Sequence, residues 1–346
     1  MSHNNESSHP AYESYDILDL TKLILSILVV CIHTQLFPAV LHPWVRVAVP
    51  LFFLMSSFFF FQRINILDKQ SRSDYLKKYI KRNLQLYIFY FVLLLPITIF
   101  RHGYLNEPPH LLFLIIFRDF VFGSTFFVSW FIMASIEGTI FVFFLSKHLP
   151  EIVVIGIGVI GYLFGCMTSV YSSLFENNAA VQSFLEIYHM FFLNPYNNVN
   201  CAILWIAIGK LMASFQPPKS SKKEWGALFL FALLLEIEFL LTKPHANLDD
   251  CYIMMLPFAV VVFRILLTFR QVKIRNAAIF RKISTMVYAF HGSAMVVLKV
   301  ILKRVAPNLL IAPILFMLTI IVSSIYVIII LKLENRRKLK FLRFAH

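Results

Sequence analysis

The sequence predicts an all-α protein, a polytopic bundle of membrane-spanning helices, from three observations. Of the 346 residues, 59% are hydrophobic and only 14% are charged. The mean hydropathy is +0.74, whereas soluble domains carry about a quarter charged residues. The apolar residues are also gathered in runs of the length that a helix needs to cross a bilayer core about 30 Å thick.

Ten apolar runs qualify as spans by length and composition. They lie at about 17–37, 46–62, 84–100, 126–146, 151–171, 199–215, 224–242, 251–270, 285–303 and 309–332. Two further runs, 111–117 and 181–193, are too short to span, so we expect interfacial or re-entrant pieces there. The chain then divides into a polar cytoplasmic tail at 1–16, a transmembrane domain at 17–332 and a basic cytoplasmic tail at 333–346.

The distribution of positive charge predicts the topology. With ten spans, most of the 32 Lys and Arg residues fall in segments on the same side of the bilayer as residue 1. Retained cytoplasmic loops carry such an excess, so both termini are predicted to be cytoplasmic in a multi-pass protein of the plasma or inner membrane. The net charge of +14 is spread over loops that face an anionic leaflet, which argues against a nucleic-acid partner. Residues 1–16 contain no Lys or Arg, so no cleaved signal peptide is expected.

The cysteines predict neither a metal site nor a disulfide framework. All four lie in or at the ends of predicted helices without CxxC spacing, and they are expected to be apolar fillers. They are Cys31, Cys166, Cys201 and Cys251.

A glycine-rich stretch predicts close helix packing. "GIGVIG" at 156–161 fits the dinucleotide pattern GxGxxG, but it lies inside a span, whereas that fingerprint follows a strand. Gly161 and Gly165 predict instead a small-residue face on which another helix packs.

The first predicted helix carries a line of polar residues. Lys22 and His33 are three helical turns apart, on one face and about 16 Å apart along the axis. Asp19 lies one turn before Lys22, where it can neutralise the lysine. Two interpretations are open: Lys22 extends its ammonium group to the headgroups while His33 bonds a carbonyl, or the line forms the wall of an active site.

Six motifs resemble those of one family, in the same order along the chain. They are "LDLTKLILSILVVCIH" at 18–33, "VPLFFLMSSFFFF" at 49–61, "YLKKYIKRNLQLY" at 75–87, "SWFIMA" at 129–134, "WIAIGKLM" at 205–212 and "VYAFH" at 287–291. Together they resemble the acyltransferase-3 family of integral membrane acyltransferases, in its form without an appended extracytoplasmic domain. Five positions depart from the family pattern: Lys22 stands for Arg, Ser57 for Gly, Tyr79 for Arg, Leu86 for Pro, and Asn197 lies in a stretch that often holds an Arg.

The resemblance implies an enzyme that moves a short acyl group, acetyl from acetyl-CoA, to a hydroxyl of an envelope saccharide or a similar small acceptor. Acyl-CoA would be a co-substrate, with no tightly bound cofactor and no metal. His33 is the predicted general base, since an imidazole titrates near neutrality, with a transient acyl-imidazole as a variant. Lys22 and Asp19 are expected to orient the donor.

Eight further residues are predicted to contact the donor or the acceptor. The four inner-loop cations offer charge to a polyanion, although the same cluster is also explained by topology alone. His291 and Tyr288 form a possible second polar wall, where a hydrogen-bonded structural histidine is an equal alternative. Trp130 lines a pocket or anchors the interface. The full set is Lys77, Lys78, Lys81, Arg82, Ser56, Trp130, Tyr288 and His291.

Two other functional classes remain open from the sequence. The polar line would also suit a transporter of small solutes, although no internal symmetry of the kind that transporters show is visible. A non-catalytic subunit in polysaccharide or wall-precursor export is the other alternative. A separate envelope-assembly partner is expected if this chain does not complete the transfer itself.

Overall fold

The computed structural model describes residues 15–37, 41–216, 219, 221–244, 250–334 and 336–346. Within these ranges all regular secondary structure is helical. The N-terminal tail predicted at 1–16 lies outside the described residues apart from Tyr15 and Asp16.

The α-helices are numbered in chain order. They are α1 (Asp16–Thr34), α2 (His42–Val45), α3 (Ala48–Ile66), α4 (Lys69–Leu93), α5 (Leu95–His102), α6 (Pro109–Phe122), α7 (Ser129–Leu145), α8 (Glu151–Thr168), α9 (Ala179–Phe192), α10 (Val199–Ala213), α11 (Lys222–Thr242), α12 (Met255–Thr268), α13 (Ala277–Val305) and α14 (Ala312–Leu333). A 3₁₀ segment, Arg337–Ala345, follows α14 and is called the C-terminal segment below.

Six helical stretches in the described residues are long and apolar enough to span a bilayer. They are Asp16–Thr34, His42–Ile66, Glu151–Thr168, Lys222–Thr242, Ala277–Val305 and Ala312–Leu333. A seventh is obtained if α4 and α5, which meet at an angle of 72°, count as one span. Pro96 stands at the start of α5, where its missing N–H interrupts the hydrogen-bond ladder. The multi-pass helical bundle is therefore confirmed, whereas the predicted number of ten crossings is not.

Three of the ten predicted spans form helices shorter than the roughly 20 residues that a full crossing needs. They are α7, α10 and α12, with 17, 15 and 14 residues. In α10, every residue from Cys201 to Gly209 is buried, and the helix packs against α3, α7 and α8. Hydropathy does not distinguish apolar side chains that face protein from those that face lipid, and this explains the higher predicted number.

Glycines of α8 bring this helix close to α10. A Cβ added at Gly161 would lie 2.7 Å from the carbonyl oxygen of Asn200, and one at Gly165 would lie 2.5 Å from Sγ of Cys201. Both distances are below normal van der Waals contact, so no larger residue fits without movement. The predicted small-residue face is confirmed.

The two ends of α1 define the two ends of the bundle. At the inner end, Asp19 of α1 lies 3.6 Å from Arg281 of α13, and Lys282 is paired with Glu334, which follows α14, at 3.1 Å. The first and last described residues therefore lie at the same end, as two cytoplasmic termini would require. The outer end is the opposite one, where α1 finishes just after His33. Which end faces the cytoplasm remains a prediction from charge.

Candidate active site

The polar line on α1 begins with an ion pair. Nζ of Lys22 donates to Oδ1 of Asp19 at 3.2 Å, and both side chains are largely buried. The ammonium group also lies 4.8 Å from the centre of the Phe59 ring. Ser284 of α13 donates to the backbone carbonyl of Lys22 at 2.8 Å, which ties α1 to α13 at this level. The predicted neutralisation of Lys22 by Asp19 is confirmed.

Lys22 opens into an inner cavity of about 180 Å³. Its wall contains Ser56 of α3, Arg82 of α4, Tyr288 of α13 and Arg343 of the C-terminal segment. The lining includes no Asp or Glu, and in the described part of the chain neither Arg82 nor Arg343 forms an ion pair. The inner cavity is therefore a basic chamber, and its two arginines, both exposed to solvent, have no acidic partner among the described residues.

A basic groove of about 370 Å³ leads to this chamber. It shares Ser56 and Arg82 with the inner cavity and adds Arg63, Tyr79 and Arg281. Tyr79 and Ser56 are joined through their hydroxyls at 3.4 Å. A polyanion would meet three arginines along this path before it reaches Lys22.

The C-terminal segment is anchored in the inner end of the bundle. Leu342 and Ala345 are buried, and the hydroxyl of Tyr90 donates to the carbonyl of Ala345 at 3.1 Å. The ring of His346 bonds the Glu334 carboxylate. This anchoring places Arg343 at the cavity, which sequence reasoning missed. The alternation of apolar and basic residues in "KLKFLRF" at 338–344 was the available signal.

At the outer end, His33 lines a second cavity of about 90 Å³, the outer cavity. Trp130 and the ion pair of Arg46 with Asp250, at 2.5 Å, also line it. Tyr288 is part of its wall as well as that of the inner cavity. The hydroxyl of Tyr288 has no hydrogen-bond partner among the described residues. The inner cavity and the outer cavity are called the inner chamber and the outer chamber below. Tyr288 is the side chain that lines both.

His33 also lines an outer vestibule of about 360 Å³. Arg101, Arg118, Asp119 and Trp130 contribute to the same wall. A further part of the lining is formed by side chains that can stack on or hydrogen-bond a polar ligand. These are Phe127, Ser124, Asn194 and Asn197.

The His33 imidazole is held by rings and not by hydrogen bonds. Its ring centre lies 4.6 Å from that of Phe127, edge to face, and 5.4 Å from that of His291, stacked. The side chain is half-buried, and no group in the described ranges hydrogen-bonds either ring nitrogen. These nitrogens are available to a ligand in the outer cavity or the vestibule.

His291 is fully buried beside His33. Its Nδ1 lies 2.8 Å from the carbonyl of Tyr288 and 3.1 Å from that of Val287, so the proton belongs on Nδ1. Its Nε2 has no partner in the described structure. His291 thus makes the structural hydrogen bond that was one of the two interpretations of its sequence position. In the described structure its Nε2 is in addition a free acceptor next to His33.

The inner-loop cations divide into two groups. Arg82 lines both the inner cavity and the basic groove. Lys77, Lys78 and Lys81 are exposed on α4 and line none of the cavities described above, and Lys77 is paired with Asp74 at 3.1 Å. Of the predicted cluster, only Arg82 is brought into the site.

Four positions that depart from the family pattern have defined surroundings. Ser57 donates to the carbonyl of Phe53 at 2.8 Å and packs on Gly209, where an added Cβ would lie 1.9 Å from the Ser57 hydroxyl. Tyr79 bonds Ser56 as described above, and Leu86 lines the inner cavity. Asn197 lines both the outer cavity and the vestibule.

These features define a helical membrane protein with two cavities along one helix, a basic one at one end and one lined by a histidine at the other, which share Tyr288 in their walls. The profile of the acyltransferase 3 family, an acyltransferase domain, matches residues 15–332, and the chain belongs to this family. The resemblance inferred from the six motifs is confirmed. Membership suggests acyltransferase activity. No group of three or more His, Cys, Asp and Glu side chains in the described ranges is placed to hold a metal ion.

Two curated relatives are similar to this chain, both named amino-acid racemase, from Enterococcus faecalis. One is 27% identical over 278 residues, which cover 75% of this chain and 36% of the relative. The other is 23% identical over 334 residues, which cover 92% of this chain and 46% of the relative. The chain therefore spans less than half the length of these relatives. No solved structure gives a significant match.

Proposed function

We propose that this protein is an acyltransferase of the cell membrane that moves a short acyl group, acetyl from acetyl-CoA, to a hydroxyl of an envelope saccharide or a similar small acceptor. The observation that carries the proposal is the placement of the two chambers on one helix. The basic inner cavity and the His33 cavity both adjoin α1, and Tyr288 is part of both walls. A long donor and a separate acceptor could therefore meet near His33 from opposite ends.

The inner end suits the donor. Coenzyme A carries phosphates at one end of a long flexible arm and the thioester at the other. Arginine binds phosphate through charge-assisted, often paired hydrogen bonds, and Arg82 and Arg343 form no ion pair with any described residue. In this arrangement the phosphates bind at the inner chamber and the groove, and the arm extends past Tyr288 toward His33.

The outer end suits the reaction. His33 removes the proton of the acceptor hydroxyl while the oxygen forms a bond to the thioester carbonyl carbon. The C–S bond then breaks, and the imidazolium returns the proton to the departing thiolate of coenzyme A. The unpartnered hydroxyl of Tyr288 is suited to donate a hydrogen bond to the carbonyl oxygen as negative charge develops there. Lys22 and Asp19 act as positioning residues for the donor.

The test is acceptor-dependent release of coenzyme A by purified protein in nanodiscs. Labelled acetyl-CoA is supplied with glucose, glucosamine or an envelope polysaccharide extract, and both free thiol and labelled product are measured. We expect release of thiol matched by label in the acceptor. Absence of both with every acceptor, together with uptake of a labelled amino acid into proteoliposomes, would replace the enzyme with the transporter alternative. Absence of both activities would favour the assembly subunit.

A further inference from the structure

We propose that Arg101 in the outer vestibule binds an anionic group of the acceptor, so that the acceptor is a hydroxyl compound that also carries a carboxylate or a phosphate. This inference rests on the proposed function, since it assigns the substrate class of the same site. Two observations support it. Of the two arginines in the vestibule, Arg118 is paired with an aspartate and Arg101 is not, and Arg101 and His33 both contact the ring of Phe127.

The single acidic residue in the described lining of the vestibule is already engaged. Asp119 accepts hydrogen bonds from Arg118, at 2.8 Å and 3.1 Å, and from the hydroxyl of Tyr104 at 2.7 Å. Its side chain is 6% exposed. Asp119 therefore neutralises Arg118.

Arg101 has no such partner. In the described part of the chain it forms no ion pair and no hydrogen bond, although it lines the same vestibule. The outer cavity next to it shows the contrasting arrangement, because Arg46 there is neutralised by Asp250. The vestibule thus has one excess positive charge, and this charge is on Arg101.

The Arg101 guanidinium and the His33 imidazole contact the same aromatic ring. Cζ of Arg101 lies 4.6 Å from the centre of the Phe127 ring, and the same ring is 4.6 Å from that of His33. Stacking on a ring fixes the plane of a guanidinium without using its N–H donors. Gly103, with φ +64°, then ends α5 in the left-handed conformation that glycine adopts readily, so that Arg101 lies in the last turn of this helix.

A planar guanidinium with free donors matches carboxylate and phosphate groups, and both are bound through paired hydrogen bonds. A neutral sugar would offer no counter-charge to this exposed guanidinium. An anionic group on Arg101 would also keep the acceptor within the vestibule that His33 lines. The proposed role is therefore binding and orientation of the acceptor beside the base.

Three sugars with the same ring test the proposal: glucose, glucuronate and glucose 6-phosphate. The measurement is the rate at which diethyl pyrocarbonate modifies His33 in the full-length protein, followed by peptide mass spectrometry. We expect glucuronate, glucose 6-phosphate or both to slow the modification of His33. The concentration needed should be about tenfold lower than for glucose, because one charge-assisted hydrogen-bonding partner contributes an effect of this size. Protection by one anion alone identifies that anion as the source of the charge.

Matched variants separate charge from packing. Arg101→Gln should abolish the preference for the anionic sugar, Arg101→Lys should restore part of it, and Arg304→Gln, at an exposed position outside the vestibule, should leave it unchanged. Equal protection by all three sugars, no protection, or an unchanged preference in Arg101→Gln would overturn the proposal. Loss of the preference in both Arg101 variants would assign the effect to packing on Phe127 and would also overturn it.

The same three sugars distinguish this inference from the proposed function. If anions protect His33 through Arg101 but no acceptor of any kind receives an acyl group, the anion site stands and the acyltransferase proposal fails. If transfer occurs with equal efficiency to neutral and anionic acceptors and Arg101→Gln changes neither, the enzyme stands and the anion site fails.

Discussion

The inner and outer chambers differ in how their charges are neutralised. In the inner chamber, Arg82 and Arg343 have no acidic partner among the described residues, and Lys22 is paired with Asp19. In the outer chamber and vestibule, two of three arginines are paired with aspartates and most of the remaining wall is aromatic or amide. Because an unneutralised charge in a cavity favours a counter-ion as ligand, the inner end is suited to a polyanion. The outer end is suited to a polar ligand with at most one negative charge.

Both chambers adjoin α1, because Lys22 lines the inner chamber and His33 lines the outer one. Residues 22 and 33 lie on one face of α1, three turns apart, so the helix extends from one electrostatic environment to the other. Tyr288 of α13 is the side chain common to both walls. A donor with its charge at one end and its reactive group at the other fits this separation, because its two ends need different environments.

The largest effect is expected from His33→Ala. Loss of the base should lower acyl transfer by about 10²-fold or more, while donor binding stays nearly unchanged, since the inner chamber is intact. The measurement is transfer per mole of monodisperse protein, with acetyl-CoA affinity determined separately. His110→Ala is the matched control, because it removes an exposed imidazole that lines neither chamber. Retention of more than half of the wild-type rate in His33→Ala would show that the outer chamber is not the catalytic one.

The second largest loss of acyl transfer is expected at Lys22, which lines the inner chamber from the same helix that carries His33. Among the described ion pairs, Lys22→Ala leaves the largely buried Asp19 with only the 3.6 Å contact to Arg281, so we expect transfer to fall by about tenfold and thermal stability to decrease. Lys22→Arg keeps the charge and should be much milder. The assay compares both variants for transfer and for melting temperature. An alanine variant with lower stability but an unchanged rate would restrict Lys22 to a structural role at the membrane interface.

Arg343 tests whether the donor binds at the inner chamber. Arg343→Gln should raise the KM for acetyl-CoA by about tenfold with little change in kcat, because a phosphate contact far from the reacting atoms contributes uniform binding. Lys78→Gln, an exposed position on α4 outside the chamber, is the control and should change neither constant. The measurement is steady-state kinetics at saturating acceptor. A larger effect at Lys78 than at Arg343 would move the donor site to the exposed face of α4.

The sequence predicted the features that depend on local periodicity. Lys22, Asp19 and His33 share a face because a helix repeats every 3.6 residues, and this was readable without the fold. The same rule would have separated Arg82 from Lys77 and Lys81. Tyr79, Arg82, Asn83 and Leu86 form an i, i+3, i+4, i+7 stripe that faces the inner cavity and its groove. Lys77 and Lys81 lie on the other side of α4, whereas Lys78 lies one turn before Arg82 at the edge of the stripe.

Features that depend on distant parts of the chain could not be predicted in this way. Arg343 reaches the inner cavity because Tyr90 and Glu334 anchor the C-terminal segment, through contacts that no local pattern encodes. Arg101 was one of several basic residues in a predicted outer segment until the structure placed it on Phe127 beside His33. The number of spans was overestimated for a related reason, since a buried helix such as α10 is as apolar as one that faces lipid.

The smallest effect is expected at Glu334, which positions Arg343 from outside the chamber. Burial raises the pKa of the Glu334 carboxyl, but hydrogen bonds from His346 and Lys282 outweigh burial, and the net pKa lies below the usual value. A lowered folded-state pKa means that the carboxylate stabilises the anchored segment at neutral pH and that this contribution is lost as the pH falls below the usual range of glutamate. Glu334→Gln should therefore raise the rate of amide exchange in the segment 337–345 severalfold at pH 7. It should also raise the KM for acetyl-CoA about threefold. This is less than the effect of Arg343→Gln, because Tyr90 still holds Ala345. The exchange difference between wild type and variant should shrink once the pH falls below about 4.5, the usual pKa of a glutamate, because the contribution of the carboxylate is lost below that value. A difference that persists at a pH where the carboxylate is protonated, or a variant with slower exchange, would mean that the Glu334 carboxylate does not hold the segment. The contact of Tyr90 with Ala345 would then be what keeps Arg343 at the inner chamber.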